Sequence, residues 1–453
     1  MLLSAFGTSS ANVGLPSMAQ SFSASFAEVQ WIVLAYLLTL TALVVGAGRL
    51  GDLVGRRRLL VGGLALFIVA SVLCGLAPTL WVLVAARAVQ GIGAAVMMAL
   101  TMAFVGDTVP REKTGRAMGL LATMSAVGTA LGPSLGGILI AATGWRAIFF
   151  VNVPLGLLAL LLVRRFLPAD HPERAARISG FDFPGTLLLA LALGAYALAV
   201  TVGRGRFGIL NFALLLGAAG GATLFALAQG KSRSPLVRLS LVRDGLLATS
   251  LMTSGLVATV MMATLVVGPF YLSRALGLDP ARVGLVLAVG PVVAALVGAP
   301  AGRLADRYGA ERMTLAGLGG IAAGSLILFL LPTSLGVLGY LLPIAAITAG
   351  YGMFQTANNT AIMTGVRADE RGVVSGLLHL SRNLGLITGA SVMGAVFAHA
   401  AGPGDLADAS AQSVAAGMRV TFGVAAILVA GAMALAVGTT RIPRVGLAEM
   451  TLP

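Results

Sequence analysis

Long apolar runs follow one another along the whole chain, each closed by charged residues or by a proline or glycine break. Fourteen can be counted, near 1–20, 29–48, 59–77, 80–105, 115–141, 147–165, 183–203, 208–229, 245–271, 281–302, 313–331, 336–364, 373–400 and 416–437. A helix needs about 20 apolar residues to cross the hydrocarbon of a bilayer. The pattern therefore predicts an all-α integral membrane protein with fourteen transmembrane helices.

The composition supports this class and excludes others. Hydrophobic residues occupy 58% of the 453 positions and charged residues only 10%, whereas a typical soluble domain carries about 25% charged residues. The one cysteine, Cys74, excludes an internal disulfide and belongs to no metal-binding motif. The three histidines are scattered, and the sequence contains no nucleophile–base pair or nucleotide-binding loop. We therefore expect no enzyme activity, no cofactor and no metal site.

Basic residues are distributed unevenly between the loops. Most lie after even-numbered segments, as at 56–58, 111–116 and 174–177. The opposite loops hold little beyond Arg146, Arg204, Arg206, Arg274 and Arg282. The positive-inside rule therefore predicts a multi-pass protein of the cell inner membrane with both termini in the cytoplasm. The same distribution explains the net charge of +14 by the orientation of the chain in the lipid bilayer, and it does not indicate nucleic-acid binding.

Two sequence patterns recur at similar intervals. GRLGDLVGRRR from Gly48 recurs as GRLADRYGAER from Gly302, and GRAMGLLATMSAVG from Gly115 aligns with GVVSGLLHLSRNLG from Gly372. Repeated halves around a central site are typical of secondary transporters. The predicted domains are a six-helix half at 1–166, a linker with two inserted helices at 167–240, a second six-helix half at 241–440 and a cytoplasmic tail at 441–453.

The pattern at Gly48 resembles the loop between segments two and three of the major facilitator superfamily. The resemblance implies a cytoplasmic latch that forms and breaks as the two halves rock. Its residues here are Gly48, Asp52, Gly55, Arg56, Arg57, Asp306 and Arg307. Asp52 can accept hydrogen bonds from a neighbouring helix N-terminus or pair with an arginine. The alternative interpretation is an orientation signal combined with a helix cap.

Segment four contains LVAARAVQGIGAA, in which Arg87 lies about 10 Å from the outer end of the helix. A buried arginine in a membrane is costly and usually functional. Arg87 and Gln90 resemble the superfamily motif implicated in proton transfer, and the resemblance implies a role in proton coupling. The alternative is a structural arginine whose side chain reaches toward the membrane surface.

Segment five contains GTALGPSLGG, which resembles the superfamily motif associated with antiport. Gly128, Gly132 and Gly136 recur every four residues and so form one smooth helical face that another helix can approach closely. Pro133 favours a bend at this point, and Gly137 completes the motif. The resemblance implies export, whereas helix packing alone would explain the glycines.

GWRAIFFVNVPLG from Gly144 and FDFPGTLLLA from Phe181, together with the fourteen segments, resemble EmrB/QacA-type drug:proton antiporters. The resemblance implies the major facilitator fold and export of amphiphilic small molecules by alternating access, driven by the proton gradient. Its implied partners are a small-molecule substrate, protons and an accessory periplasmic adaptor. The alternative function is secondary transport of a specific anionic or zwitterionic metabolite without proton antiport.

The first segment, FGTSSANVGLP, departs from this family because Gly7 occupies the place of the usual aspartate. No other acid falls deep within a predicted helix, so we expect a neutral to positive central cavity. Polar and aromatic candidates for substrate binding are Asn12, Trp31, Tyr36, Gln355, Asn358 and Asn359. Trp31 is equally compatible with anchoring at the membrane interface.

Segment thirteen offers a different proton carrier. Ser375, His379, Arg382 and Asn383 share one helical face. Histidine ordinarily titrates near pH 6.5, so His379 could load and release protons, and Arg382 would modulate its charge. The alternative is a neutral histidine hydrogen-bonded between helices.

The first segment is also short, since Leu2 to Met18 gives about 25 Å of helix against roughly 30 Å of hydrocarbon. No basic residue precedes it. We expect an upstream extension that contains apolar residues and at least one lysine or arginine.

Overall fold

The computed structural model describes residues 1–24, 26–168, 170, 181–201, 208–232, 235–238, 241, 245–330, 332, 335–402 and 410–440. The long helices among these residues are α1 (Leu2–Phe22), α2 (Phe26–Val54), α3 (Arg56–Leu76), α4 (Leu80–Thr108), α5 (Thr114–Thr143), α6 (Asn152–Phe166), α7 (Phe183–Thr201), α8 (Ile209–Lys231), α9 (Gly245–Phe270), α10 (Pro280–Tyr308), α11 (Ala310–Leu330), α12 (Gly336–Gly365), α13 (Arg371–Ala400) and α14 (Ala411–Thr440). A helical turn, Ala147–Phe150, precedes α6, and a π-helical turn, Tyr271–Ala275, follows α9. The described part of the chain is all-helical, as the sequence predicts. The predicted tail at 441–453 lies outside the described residues.

Thirteen of the helices in the described part of the chain are long and apolar enough to cross a membrane. The exception is α1, which carries several hydroxyl residues. Ser4 Oγ donates to the Met1 carbonyl (2.9 Å) and Thr8 Oγ1 to the Ser4 carbonyl (3.0 Å), so these hydroxyls hydrogen-bond along the helix itself. Phe6 and Met18 of α1 are fully buried. The helix therefore packs mainly against protein and needs less apolar surface than a lipid-facing helix.

Helices α2 and α10 run about two turns further than the apolar runs predict. Each continues until a glycine with a positive φ ends it, Gly55 (110°) after α2 and Gly309 (89°) after α10. Only glycine adopts this conformation without strain. Asp52 and Asp306, whose motif resembles an interhelical loop, consequently lie on the last turns of helices, where their direction is fixed.

Each of the two halves, α1–α6 and α9–α14, contains an apolar cluster of its own. In the N-terminal half, Ile32, Leu83 and Phe149 belong to one buried cluster. In the C-terminal half, Phe354 and Phe422 belong to another. This division agrees with the internal repeat of the sequence.

The halves meet where α2 packs against α13 and α5 packs against α10. In both contacts the backbones of the two helices approach each other closely. A Cβ added to Gly48 would collide with Gly372, and one added to Gly302 would collide with Gly115. These four glycines lie at the end of the bundle that also carries the segments 56–58, 111–116 and 367–371, called here the arginine-rich end.

An apolar cluster from both halves lies near the same end. It includes Met102 and Met118 from the N-terminal half and Ile362, Met363 and Leu378 from the C-terminal half. The bundle is therefore closed at its arginine-rich end.

The inserted helices α7 and α8 pack together, and α7 lies along the seam between α2 and α13. A Cβ at Gly46 of α2 would meet Thr186 of α7 at 2.8 Å. Ser391 of α13 donates to the Val200 carbonyl of α7 (2.5 Å). The insertion thus contacts both halves.

Candidate functional site

Asp52, near the end of α2, contacts the opposite half. Its carboxylate accepts the backbone N–H groups of Gly372 (3.1 Å) and Val373 (3.3 Å) in the first turn of α13. It also forms an ion pair with Arg56 (2.6 Å), and its side chain is only 1% exposed. An anion at a helix N-terminus is stabilised by unpaired N–H groups and by the helix dipole. Asp52 thus makes both contacts that the sequence allowed, and one of them joins the two halves.

Asp306 repeats this arrangement with the halves exchanged. It lies near the end of α10, and its carboxylate accepts the backbone N–H groups of Gly115 (2.7 Å) and Arg116 (2.8 Å) in the first turn of α5. Arg307 is exposed, and its guanidinium lies 5.3 Å from the centre of the Tyr308 ring. The arginine-rich end is therefore closed by a reciprocal pair of carboxylate–helix contacts.

Asp107, near the end of α4, joins the same site although it was not predicted as part of the latch. It forms ion pairs with Arg56 and with Arg371 (2.7 Å), the first residue of α13. Arg56 also donates to the Ala368 carbonyl (2.5 Å). Nothing local in the sequence places Asp107 beside α13.

Asp170, in the linker after α6, is a further acid that sequence reasoning missed. Its carboxylate accepts the backbone N–H groups of Arg57 (3.0 Å) and Arg58 (2.9 Å) at the start of α3. A Cβ at Gly55 would lie 2.6 Å from this carboxyl group. Gly55 therefore adopts the turn and also leaves room for the Asp170 carboxylate that caps α3. The backbone of Arg57 contacts this linker residue and not the opposite half.

Arg87 is fully buried inside the N-terminal half. Its Nε donates to the Ile32 carbonyl (3.0 Å), and Nη1 donates to Gln90 (2.5 Å). The guanidinium lies 4.2 Å from the centre of the Tyr36 ring, and the Tyr36 hydroxyl donates to the Ser4 carbonyl (3.1 Å). A carbonyl, an amide and an aromatic face therefore stabilise this charge. Tyr36, a predicted substrate residue, is fully buried in the same network.

The glycine face of α5 packs against α1. A Cβ at Gly128 or Gly132 would collide with α1, and Ser9 of α1 donates to the Gly128 carbonyl (3.3 Å). The glycine spacing predicted a close helix approach, and α1 makes it. The other motif residues lie on the same continuous helix: Pro133, Gly136 and Gly137.

The other predicted substrate residues are distributed over three helices. Asn12 is exposed on α1, and Trp31 is half-buried on α2. Asn358 is buried on α12, where its Oδ1 accepts from the Ser250 hydroxyl of α9 (2.6 Å). Two further residues of α12 are half-buried: Gln355 and Asn359.

His379 lies on α13 at the boundary between the halves. Its side chain is 4% exposed, and α13 packs against α4 of the N-terminal half. Arg382, one turn further along, is half-buried. Asn383 donates to Thr41 of α2 (3.4 Å), again across the boundary. The predicted face of α13 is therefore turned toward the N-terminal half.

Two six-helix halves, joined at one end by charged contacts and with polar side chains at their boundary, define a secondary transporter and not an enzyme. Residues 1–390 match the Major Facilitator Superfamily, and the chain belongs to this family. The expectation of the major facilitator fold is confirmed.

Curated relatives cover most of the chain. It is 34% identical over 390 residues to the multidrug resistance protein Stp of Mycobacterium tuberculosis (strain ATCC 25618 / H37Rv), covering 85% of this chain and 72% of Stp. It is 30% identical over 390 residues to the riboflavin transporter RibZ of Clostridioides difficile (strain 630), covering 85% of this chain and 84% of RibZ.

Among solved structures, the proton:xylose symporter XylE matches with a TM-score of 0.68 at 16% identity, covering 95% of this chain and 92% of XylE. At this identity the likeness concerns the fold alone.

Proposed function

We propose that this chain exports amphiphilic small molecules in exchange for protons, as a fourteen-helix transporter of the EmrB/QacA type. The observation that carries the proposal is the reciprocal contact of Asp52 with α13 and of Asp306 with α5. These contacts close one end of the bundle through a few hydrogen bonds, a suitable arrangement for rigid-body movement of two halves. The name of the relative Stp, a multidrug resistance protein, supports export as the direction.

We assign the arginine-rich end to the cytoplasm, with both termini on that side of the inner membrane, because cytoplasmic loops are enriched in basic residues. We further propose that residues 1–166 and 241–440 form the two halves. Residues 167–240, with the two inserted helices, form a linker that lies beside the latch. Two contacts support this role of the linker: Asp170 caps α3, and Arg238 pairs with Glu370 at 2.9 Å, next to the start of α13.

The latch residues act by holding the cytoplasmic end closed. A hydrogen bond to a charged group contributes about 1.5–3 kcal/mol. The backbone bonds of Asp52 and Asp306 and the ion pairs of Asp107 must be broken when the halves separate at this end. Alternating access then requires substrate or proton binding to offset their loss.

Proton coupling is assigned to two groups on different helices. Arg87 and Gln90 form the buried hydrogen-bonded pair in α4. His379 and Arg382 lie at the boundary that opens and closes. A titrating side chain at a moving boundary can be exposed to one side of the membrane at a time, which is what proton coupling by alternating access requires.

Substrate binding is assigned to the polar and aromatic residues that the sequence singles out on α1, α2 and α12: Asn12, Trp31, Tyr36, Gln355, Asn358 and Asn359. The periplasmic adaptor rests on the family resemblance alone. A second candidate function is transport of one anionic or zwitterionic metabolite. It is favoured by the lack of an acid in the helix interiors of the described residues and by the riboflavin transporter RibZ among the relatives.

The proposal is tested by expressing the chain in an efflux-deficient bacterial host. Growth is measured against a panel of toxic cationic, neutral and anionic amphiphiles, beside an empty vector and the Asp52→Asn variant. We expect at least fourfold higher inhibitory concentrations for some of the panel with the wild-type chain only. Everted vesicles should accumulate the same compounds, and a protonophore should abolish the uptake. Unchanged sensitivity across the panel, or uptake that survives the protonophore, would contradict the proposal.

A further inference from the structure

Three polar residues on one face of α13 carry atoms without hydrogen-bond partners among the described residues. They are Ser375 Oγ, His379 Nε2 and Arg382 Nε. Ser375 is fully buried and His379 is 4% exposed, while Arg382, further from the arginine-rich end, is half-buried. Leaving a buried polar group without a hydrogen-bond partner destabilises a protein. Because this cost occurs three times on one face, we expect these groups to have hydrogen-bond partners in another conformation of the transport cycle.

Three arginines near the boundary have charged, amide or aromatic partners, whereas Arg49 and Arg382 each have an Nε without a partner among the described residues. Arg56 and Arg371 pair with Asp107, and Arg87 is held by Gln90 and the Tyr36 ring. Among the described residues, no ion pair or aromatic contact includes Arg382. An arginine inside a membrane is energetically costly when its charge is not compensated. Arg382 therefore retains an uncompensated positive charge.

The surroundings provide no protein anion for this charge. Within the described residues, the acids of the long helices lie in their first or last turns, as Asp52, Asp107 and Asp306 do. A ligand that enters between the halves can therefore supply the anion that the described residues do not place beside Arg382. The donors on this face, a guanidinium, an imidazole and a hydroxyl, match the oxygen atoms of an organic acid.

We propose that Ser375, His379 and Arg382 form an anion-binding subsite and that the transported compounds are amphiphilic organic acids, an inference that rests on the proposed transport function. When the halves separate at the arginine-rich end, the buried face of α13 opens to the cytoplasm. The acidic group of the substrate then meets Ser375 and His379 and continues to Arg382. When the halves close, the seam covers Ser375 and His379, and Arg382 alone stays partly exposed to hold the anion.

The experiment compares two probes of the same shape and opposite charge, 1-naphthoate and 1-naphthylmethylammonium. Binding of each to the purified full chain in nanodiscs is measured by equilibrium dialysis, and uptake is measured in proteoliposomes. We expect the wild-type chain to bind 1-naphthoate at least tenfold more tightly than the amine. Arg382→Gln should lose this preference, and Arg382→Lys should restore part of it.

Arg274→Gln, at an exposed position on the opposite end, is the matched control and should bind like the wild type. Size-exclusion profiles and thermal melting identify any variant that misfolds. Equal or tighter binding of the amine, no binding of 1-naphthoate, or an unchanged preference in folded Arg382→Gln would overturn the subsite. If protection of the efflux-deficient host persists in that case, the proposed export function still stands. If 1-naphthoate binds but the host gains no protection, the export function fails and the subsite remains.

Discussion

Asp52 accepts the backbone N–H of Gly372 at 3.1 Å across a separation of 320 residues. Asp306 makes the corresponding contact with Gly115 at 2.7 Å. The two repeated sequence patterns therefore contact each other crosswise: the first copy of one meets the second copy of the other. We therefore expect a substitution at one of these contacts to have the same effect on transport as the equivalent substitution at the other contact.

Asp52→Asn removes the charge at the N-terminus of α13 while preserving the shape of the side chain. We expect transport in proteoliposomes to fall more than tenfold with nearly normal membrane expression, because the contact holds the closed state and not the fold of either half. Asp306→Asn should behave in the same way. Asp279→Asn is the control, since Asp279 pairs with Arg282 (3.1 Å) inside one half. Loss of membrane insertion in Asp52→Asn, instead of loss of transport, would count against the latch.

Gly48→Ala tests the backbone approach of α2 and α13. Its Cβ would collide with the Gly372 carbonyl, so the arginine-rich end should fail to close. We expect transport to drop at least tenfold and a cysteine placed at Met363 to become labelled by a water-soluble maleimide. Gly62→Ala is the matched control because a Cβ there meets nothing within 4 Å. Normal transport by Gly48→Ala would show that closure tolerates a wider spacing.

Arg87→Met separates the two interpretations of the buried arginine. Replacing a buried charge by an apolar side chain of similar volume is often neutral or stabilising for the fold. We expect the variant to melt within about 3 °C of the wild type yet to lose proton-driven transport. If Arg87 is only structural, transport should persist along with stability. The measurement is melting of the purified protein beside uptake in vesicles with an imposed pH gradient.

His379→Gln tests histidine as the proton carrier. Glutamine keeps hydrogen-bonding capacity but does not titrate, so the variant should bind substrate and exchange it across the membrane without a gradient. We expect it to lose accumulation when a pH gradient is the only energy source. Accumulation that continues would exclude histidine coupling and leave Arg87 or the proton of the substrate itself. His399→Gln, near the opposite end of α13, provides the control.

Sequence patterns predicted the positions of the helices well because each membrane helix satisfies its backbone hydrogen bonds within its own segment. The ends of α2 and α10 were less predictable. There the helix continues through polar residues, so hydropathy does not mark its end. The helix ends at a glycine because of the backbone conformation that this glycine adopts. Asp107 and Asp170 were missed as members of the latch for a related reason, since their partners lie on distant helices.

The sequence by itself determined the apolar segments, the two repeated halves and the repeated motif that contains Asp52 and Asp306, because each follows from local periodicity or from a repeated pattern. Only the tertiary structure decided what those acids contact. Asp52 contacts α13 and Asp306 contacts α5 because glycines allow the facing backbones to approach closely. Each carboxylate can then reach the N-terminus of the opposite helix. Tertiary packing likewise placed Tyr36 against Arg87 and left Arg382 outside every ion pair of the described residues, since burial and pairing depend on residues from distant parts of the chain.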